Sequence, residues 1–204
     1  MALANYTDLI ASVASWAHRT DLTAIIPDFV SLAEARISRD LRLRKQITTT
    51  SVLTTAYSDS VTLPADWLEF ENVSAAGNPE MQLTYVPVEH LDSRYPAGGV
   101  TGAPVFYTIE ADNLLIGPTP DTVYTLNLIY YARFPALATN STNWLMSNHP
   151  NIYLFACLIE AMFYTQNTEQ LNLYNARYQA ELNQLQTVDD RSTHSGSALR
   201  VKVI

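Results

Sequence analysis

Apolar positions recur along the chain in two different periods, and the period switches twice. Tyr6, Leu9, Ile10, Val13 and Trp16 lie three or four residues apart, the spacing that gathers side chains on one face of a helix. This predicts a helix over about 5–18, broken by His18-Arg19-Thr20-Asp21. A second stripe, Val30, Ala33, Ile37 and Leu41, predicts a helix over about 27–45. Pro27 suits its first turn, where no N–H is needed, and Asp28 complements the positive end of the helix dipole.

From Ile47 to Thr55 the chain turns to Thr and Val, β-branched residues that fit a pleated surface. Further short strands are expected at 60–63, ended by Pro64, and at 70–74, 81–86, 105–109, 114–116 and 125–131. Glu110-Ala111-Asp112-Asn113 reads as a hairpin turn between two of them. Pro96 to Pro104, rich in Gly and Pro, reads as an exposed loop. The helical period then returns. Ile152, Phe155, Ala156, Ile159 and Phe163 predict a helix over about 150–165, with Ser147 and Asn148 as candidate caps before Pro150. After a break at Gln166-Asn167-Thr168, Leu171, Tyr174, Tyr178, Leu182 and Leu185 predict a helix over 168–188. From Asp189 the sequence becomes linker-like, with Ser195-Gly196-Ser197 as a hinge. Leu199, Val201 and Val203 then alternate with Arg200 and Lys202. The expectation is an α+β fold: a helical bundle formed by the N- and C-terminal helices, a central antiparallel β-rich insertion at 47–132, and an extended C-terminal arm. Residues 1–190 read as a single domain and 191–204 as the arm.

Composition narrows what such a chain does. Its 204 residues are 48% apolar, ordinary for a globular protein, and the formal net charge is -8. An acidic surface repels nucleic acid and anionic membranes on average. The single cysteine, Cys157, rules out an internal disulfide and suits a reducing compartment. The opening residues predict no signal peptide, and no apolar run approaches the roughly 20 residues of a membrane span. There is no phosphate-binding glycine loop, paired-His helix motif or nucleophile elbow. His18, His90, His149 and His194 are scattered, and Cys157 falls on an apolar helix stretch.

Charge placement gives the candidate contact residues. Arg36, Arg39, Arg42, Arg44 and Lys45 put five of the twelve basic residues into ten positions, at the end of the second helix. One reading is a solvated face with local pairs such as Asp40 to Arg44. The other is a basic edge, centred on Arg36, Arg39 and Arg42, that meets an acidic partner or neighbouring subunit. The arm residues Leu199, Arg200, Val201, Lys202, Val203 and Ile204 form the second candidate contact. They are more apolar than a solvating tail and suited to strand addition on another chain.

The order of several short motifs resembles one family. Tyr6-Thr7-Asp8-Leu9-Ile10, Ser15-Trp16, Arg19-Thr20-Asp21-Leu22 and Ile26-Pro27-Asp28-Phe29-Val30 are followed by Leu32-Ala33-Glu34-Ala35-Arg36-Ile37. Leu63-Pro64-Ala65-Asp66-Trp67-Leu68-Glu69, Leu115-Ile116-Gly117-Pro118-Thr119-Pro120 and Tyr130-Tyr131-Ala132 come later. Together they resemble the head-to-tail adaptor proteins of tailed bacteriophages, over about residues 5–190. The resemblance implies a structural protein of the virion neck, with no enzymatic activity and no cofactor, assembled in the host cytoplasm. It implies a self-associated twelve-fold ring bound to the portal protein, contacting tail or nozzle proteins and passing double-stranded DNA without binding it specifically. It also implies that the C-terminal segment reaches onto the portal. The alternatives are a tail completion or neck protein that does not touch the portal, a small intracellular enzyme whose site is assembled from remote residues, and a host-type regulatory binding module.

Overall fold

The computed structural model describes residues 3–19, 21–77, 79–96 and 99–194. It is an α+β protein whose chain divides into two compact units. The first runs to Leu43 and resumes at Phe134; the second is Arg44–Arg133.

The helical unit opens with α1 (Tyr6–Trp16), capped by Asn5, whose side chain accepts from the Asp8 N–H at 3.0 Å. α2 (Ile26–Asp40) has Pro27 and Asp28 in its first turn, as expected. It stops at Asp40, short of the expected Lys45, because Leu41 and Leu43 are both fully buried. Extended backbone turns alternate residues to the same side, and Leu41 adopts it. Arg44–Gln46 then form one 3₁₀ turn. Two short helices follow the return of the chain, α4 (Leu137–Asn140) and α5 (Trp144–Asn148). Neither is expected from the sequence, being too short to show a period.

Ser147 and Asn148 lie inside α5 and do not cap the next helix; Asn148 Nδ2 donates back to the Trp144 carbonyl at 2.8 Å. Asn143 is the residue that caps, accepting from the Met146 N–H and donating to the Tyr153 hydroxyl at 2.8 Å. α6 (Pro150–Tyr164) is buried on most sides, and α7 (Thr168–His194) packs along it. The turn between them uses Gln166 at a φ of 56°. α7 continues six residues past the expected 188, so residues 191–194 are helical. The expected arm residues Leu199, Arg200, Val201, Lys202, Val203 and Ile204 lie outside the described residues.

The β unit holds two four-stranded sheets that share one core. The strands are β1 (Ile47–Leu53), β2 (Ser60–Thr62), β3 (Trp67–Ala75), β4 (Met81–Gln82) and β5 (Thr84–Tyr85), then β6 (Phe106–Glu110), β7 (Asn113–Gly117) and β8 (Thr125–Ala132). A short helix, α3 (Val88–Arg94), lies between β5 and β6. The first sheet has order β1-β8-β3-β4 and the second β2-β7-β6-β5. The expected strand at 81–86 is split. Met81–Gln82 pairs with β3, whereas Thr84–Tyr85 pairs with β6 in parallel, so buried Leu83 marks the crossing between sheets. The hairpin at Glu110–Asn113 is present, with Ala111 at a φ of 50°.

The later sequence motifs acquire physical reasons here. Tyr130 on β8 donates its hydroxyl to Asp66 Oδ1 at 3.0 Å, and the Arg133 N–H donates to the Asp66 carbonyl at 2.7 Å. Burial and the Asp66 carboxylate push the Tyr130 phenol up to about 12. Gly117 follows Ile116 because α3 leaves no room for a side chain. A Cβ there would sit 2.7 Å from Leu91 Cδ1 and 2.9 Å from a Tyr95 ring carbon.

Candidate functional site

The basic cluster resolves into different local roles. Arg36 projects from α2 onto α6, where Nη2 meets Glu160 Oε1 at 2.5 Å and Nε meets it at 3.0 Å. The pair is mostly withdrawn from solvent, so Arg36 holds two helices of the same chain together. Arg42 Nη1 donates to the carbonyls of Ser38 and Leu41 at 2.7 and 2.8 Å. It thereby satisfies orphan acceptors at the end of α2, where a cation is also favoured by the helix dipole. Arg39 is exposed. The expected Asp40–Arg44 pairing on one helix face is replaced, since α2 ends between them and Asp40 Oδ2 accepts from the Tyr178 hydroxyl at 3.0 Å. Burial first, and then Asp40, pushes the Tyr178 phenol far up, keeping it a donor.

Cys157 is fully buried on α6, and burial pushes its thiol up, away from the thiolate a nucleophile needs. It packs in the helical core beside Leu154, Leu158 and Ala161.

The surface feature missed by sequence reasoning is an apolar groove in the helical unit. Phe29 and Leu32 of α2 form one wall; Met162, Phe163 and Tyr164 at the end of α6 and Leu171 at the start of α7 form the rest. Its volume is about 590 Å³. Phe163 is 72% exposed, Tyr164 56% and Leu32 53%. Phe163 continues the apolar spacing of α6, yet the chain turns at Thr165-Gln166 before anything covers it. Leu32 carried a signal: it is a large apolar residue off the Val30-Ala33-Ile37 stripe. Large exposed side chains clustered in one place mark interaction surfaces.

The β unit offers surfaces of another kind. A polar groove of about 380 Å³ lies beside the crossing between sheets, lined by Asn72, Gln82, Tyr85 and Tyr107 among others. β1 is an open edge. Thr54 N–H bonds to the Tyr124 carbonyl, and the alternation of an antiparallel ladder continues inward bonding through Val52, Thr50 and Thr48. The backbone groups of Thr49, Ser51 and Leu53 therefore face away from β8, on the open side of the sheet.

These are the features of a protein that works through surfaces. The family model of the SU10 adaptor protein matches residues 4–202, and the chain belongs to that family. It is a bacteriophage adaptor, a structural component of the virion from a family that is not one of enzymes. Adaptors of this kind interact in general with portal and tail proteins. A search of the curated proteins found no match. Among the described residues no helix is long and apolar enough to cross a membrane.

Proposed function

We propose that this adaptor forms a twelve-fold ring beneath the portal, continues the DNA channel and gives the tail its platform. The family match over residues 4–202 carries the reading. The net charge of -8 supports it, because a like-charged channel lets DNA slide without phosphate contacts. Contacts to the portal or the next subunit are assigned to Arg39 and the arm residues Leu199, Arg200, Val201, Lys202, Val203 and Ile204. Arg36 and Arg42 add positive charge while engaged within their own chain. The free protein is a monomer or weakly associated, and the portal acts as the template that raises the local concentration of copies.

Light scattering at micromolar concentration, with and without the portal protein, tests this. A ring is expected only with the portal. A stable dodecamer without it would overturn the templating. No association with the portal under any condition would overturn the reading in favour of a neck protein that does not touch the portal.

A further inference from the structure

We propose that the apolar groove beside Leu32, Phe163 and Tyr164 receives the C-terminal segment Leu199–Ile204 of a neighbouring copy of this chain. The proposal rests on the reading that copies assemble side by side, and it names one of the contacts that would join them.

The groove requires an apolar occupant. Phe163, Tyr164 and Leu32 are each more than half exposed, and Phe29 and Leu171 complete the lining. The segment beyond His194 offers Leu199, Val201, Val203 and Ile204, with Arg200 and Lys202 between them. Period-two alternation sends Leu199, Val201 and Val203 to one side of an extended segment and the two cations, with Ile204, to the other. The rim is acidic to match. Exposed Asp28 precedes Phe29 and lies one helical turn before Leu32, and exposed Glu169 adjoins Thr168, whereas Glu160 on the lining is already paired with Arg36. Of the cations in this unit, Arg36 is taken up by Glu160 and Arg19 by Asp21.

Chain length decides between a segment's own groove and a neighbour's. The groove lies at the N-terminal end of α7, lined by Thr168 and Leu171. At 1.5 Å per residue, His194 is about 35 Å from Leu171 along the helix. Fully extended chain spans at most about 3.6 Å per residue, so Leu199 reaches roughly 18 Å from His194 and Val201 roughly 25 Å. Neither can enter the groove of its own chain; only the last residue, Ile204, at roughly 36 Å when fully extended, spans the distance, so the segment cannot lie along that groove, whereas a neighbour's groove carries no such restriction. An arrangement in which each copy gives a tail and receives one is heterologous, the type of contact that closes into rings.

The test uses a fluorescently labelled peptide of residues 195–204. The receptor is the full chain with Leu199, Val201 and Val203 all changed to Ser, so that its own tail does not compete. Anisotropy should show saturable binding, weakened at least tenfold by Phe163→Glu or by Leu32→Glu and weakened by added salt. Both substituted side chains are exposed, and unchanged thermal unfolding would confirm that each variant is folded. A peptide carrying the same three Ser changes should not bind. Binding indifferent to both groove variants would overturn the proposal, as would no binding, or binding to isolated portal protein alone. Because no portal is present in the main titration, a negative result leaves the ring reading standing. A missing ring on the portal would, in turn, leave a positive titration intact.

Discussion

The two units of the molecule solve the same problem, fixing elements against one another, by different means. In the helical unit, polar side chains join elements far apart in sequence: Arg36 to Glu160, Tyr178 to Asp40, Asn143 to Tyr153, and Glu34 to the Leu137 N–H at 2.7 Å. In the β unit, backbone ladders set the strands and ring contacts link the two sheets. Trp67, Phe70 and Tyr130 of the first sheet lead to Tyr107 and Tyr85 of the second, with neighbouring centroids 5.3–6.5 Å apart. The difference follows from the backbone. A helix satisfies its N–H and C=O groups internally, so nothing directional in the main chain sets one helix against the next. A ladder of backbone bonds already fixes strands in register, leaving side chains free to pack. The β unit even tolerates a buried hydroxyl, Thr108 Oγ1, with no partner among the described residues.

The sharpest way to break the comparison is to reverse one polar staple. Arg36→Glu would place two carboxylates against each other between α2 and α6. It should cost the fold about 2–4 kcal/mol in urea unfolding, in the range of broken, partly buried pairs. Arg39→Glu, at an exposed position, should cost less than about 0.5 kcal/mol. Equal losses would mean that the Arg36 pair contributes little. A pure packing insult to the β unit comes next. Gly117→Ala pushes a methyl into Leu91 and Tyr95 and should cost about 1–3 kcal/mol by displacing α3. The same measurement reads it, and an unchanged midpoint would show that α3 shifts freely. Thr108→Val should act in the opposite direction, stabilising by about 1 kcal/mol because it removes an unpaired buried hydroxyl. A loss of stability would reveal a partner for that oxygen.

The smallest effect is pH-dependent. Burial raises the Glu34 carboxyl above its ordinary value of 4.5, opposed by the Leu137 N–H. The folded state therefore disfavours the ionised form, and the cost is present at neutral pH and vanishes below about pH 4.5. Glu34→Gln keeps an acceptor for Leu137, so it should be slightly more stable than the parent at pH 7 and no different at pH 4. Unfolding at the two pH values checks this.

The sequence made the long elements legible and hid the short or interrupted ones. α1, α6 and the break at Gln166 follow from period and turn residues, because a helix of three or more turns displays its buried face several times. α4 and α5 are too short to do so. The end of α2 was hidden because Leu41 fits a helical stripe and also a pair of buried extended positions with Leu43. Met81–Tyr85 reads as one strand, since nothing local says that its two halves join different sheets. The basic cluster was legible as a cluster but not as a set of partners: Glu160 lies 124 residues from Arg36. The groove was hidden for the opposite reason. Phe163 looks like core from its spacing, and only the turn after α6 leaves it uncovered.

The chain leaves the helical unit after Leu43 and returns at Phe134, and the two crossings are adjacent. Ile47 faces Tyr131 across the β1–β8 ladder, and Gln46 Nε2 reaches the Ala132 carbonyl. Neighbouring strands are about 5 Å apart, so a folded β unit acts as a clasp on what would otherwise be a very long loop. The entropy of closing a loop grows with the logarithm of its length. Replacing the whole of Arg44–Arg133 by a gap that narrow spares the helical unit on the order of 2–3 kcal/mol of closure entropy. The inserted unit thus helps its host to fold through the closure of its own β1–β8 ladder, and a direct short bridge between Leu43 and Phe134 would supply the same service.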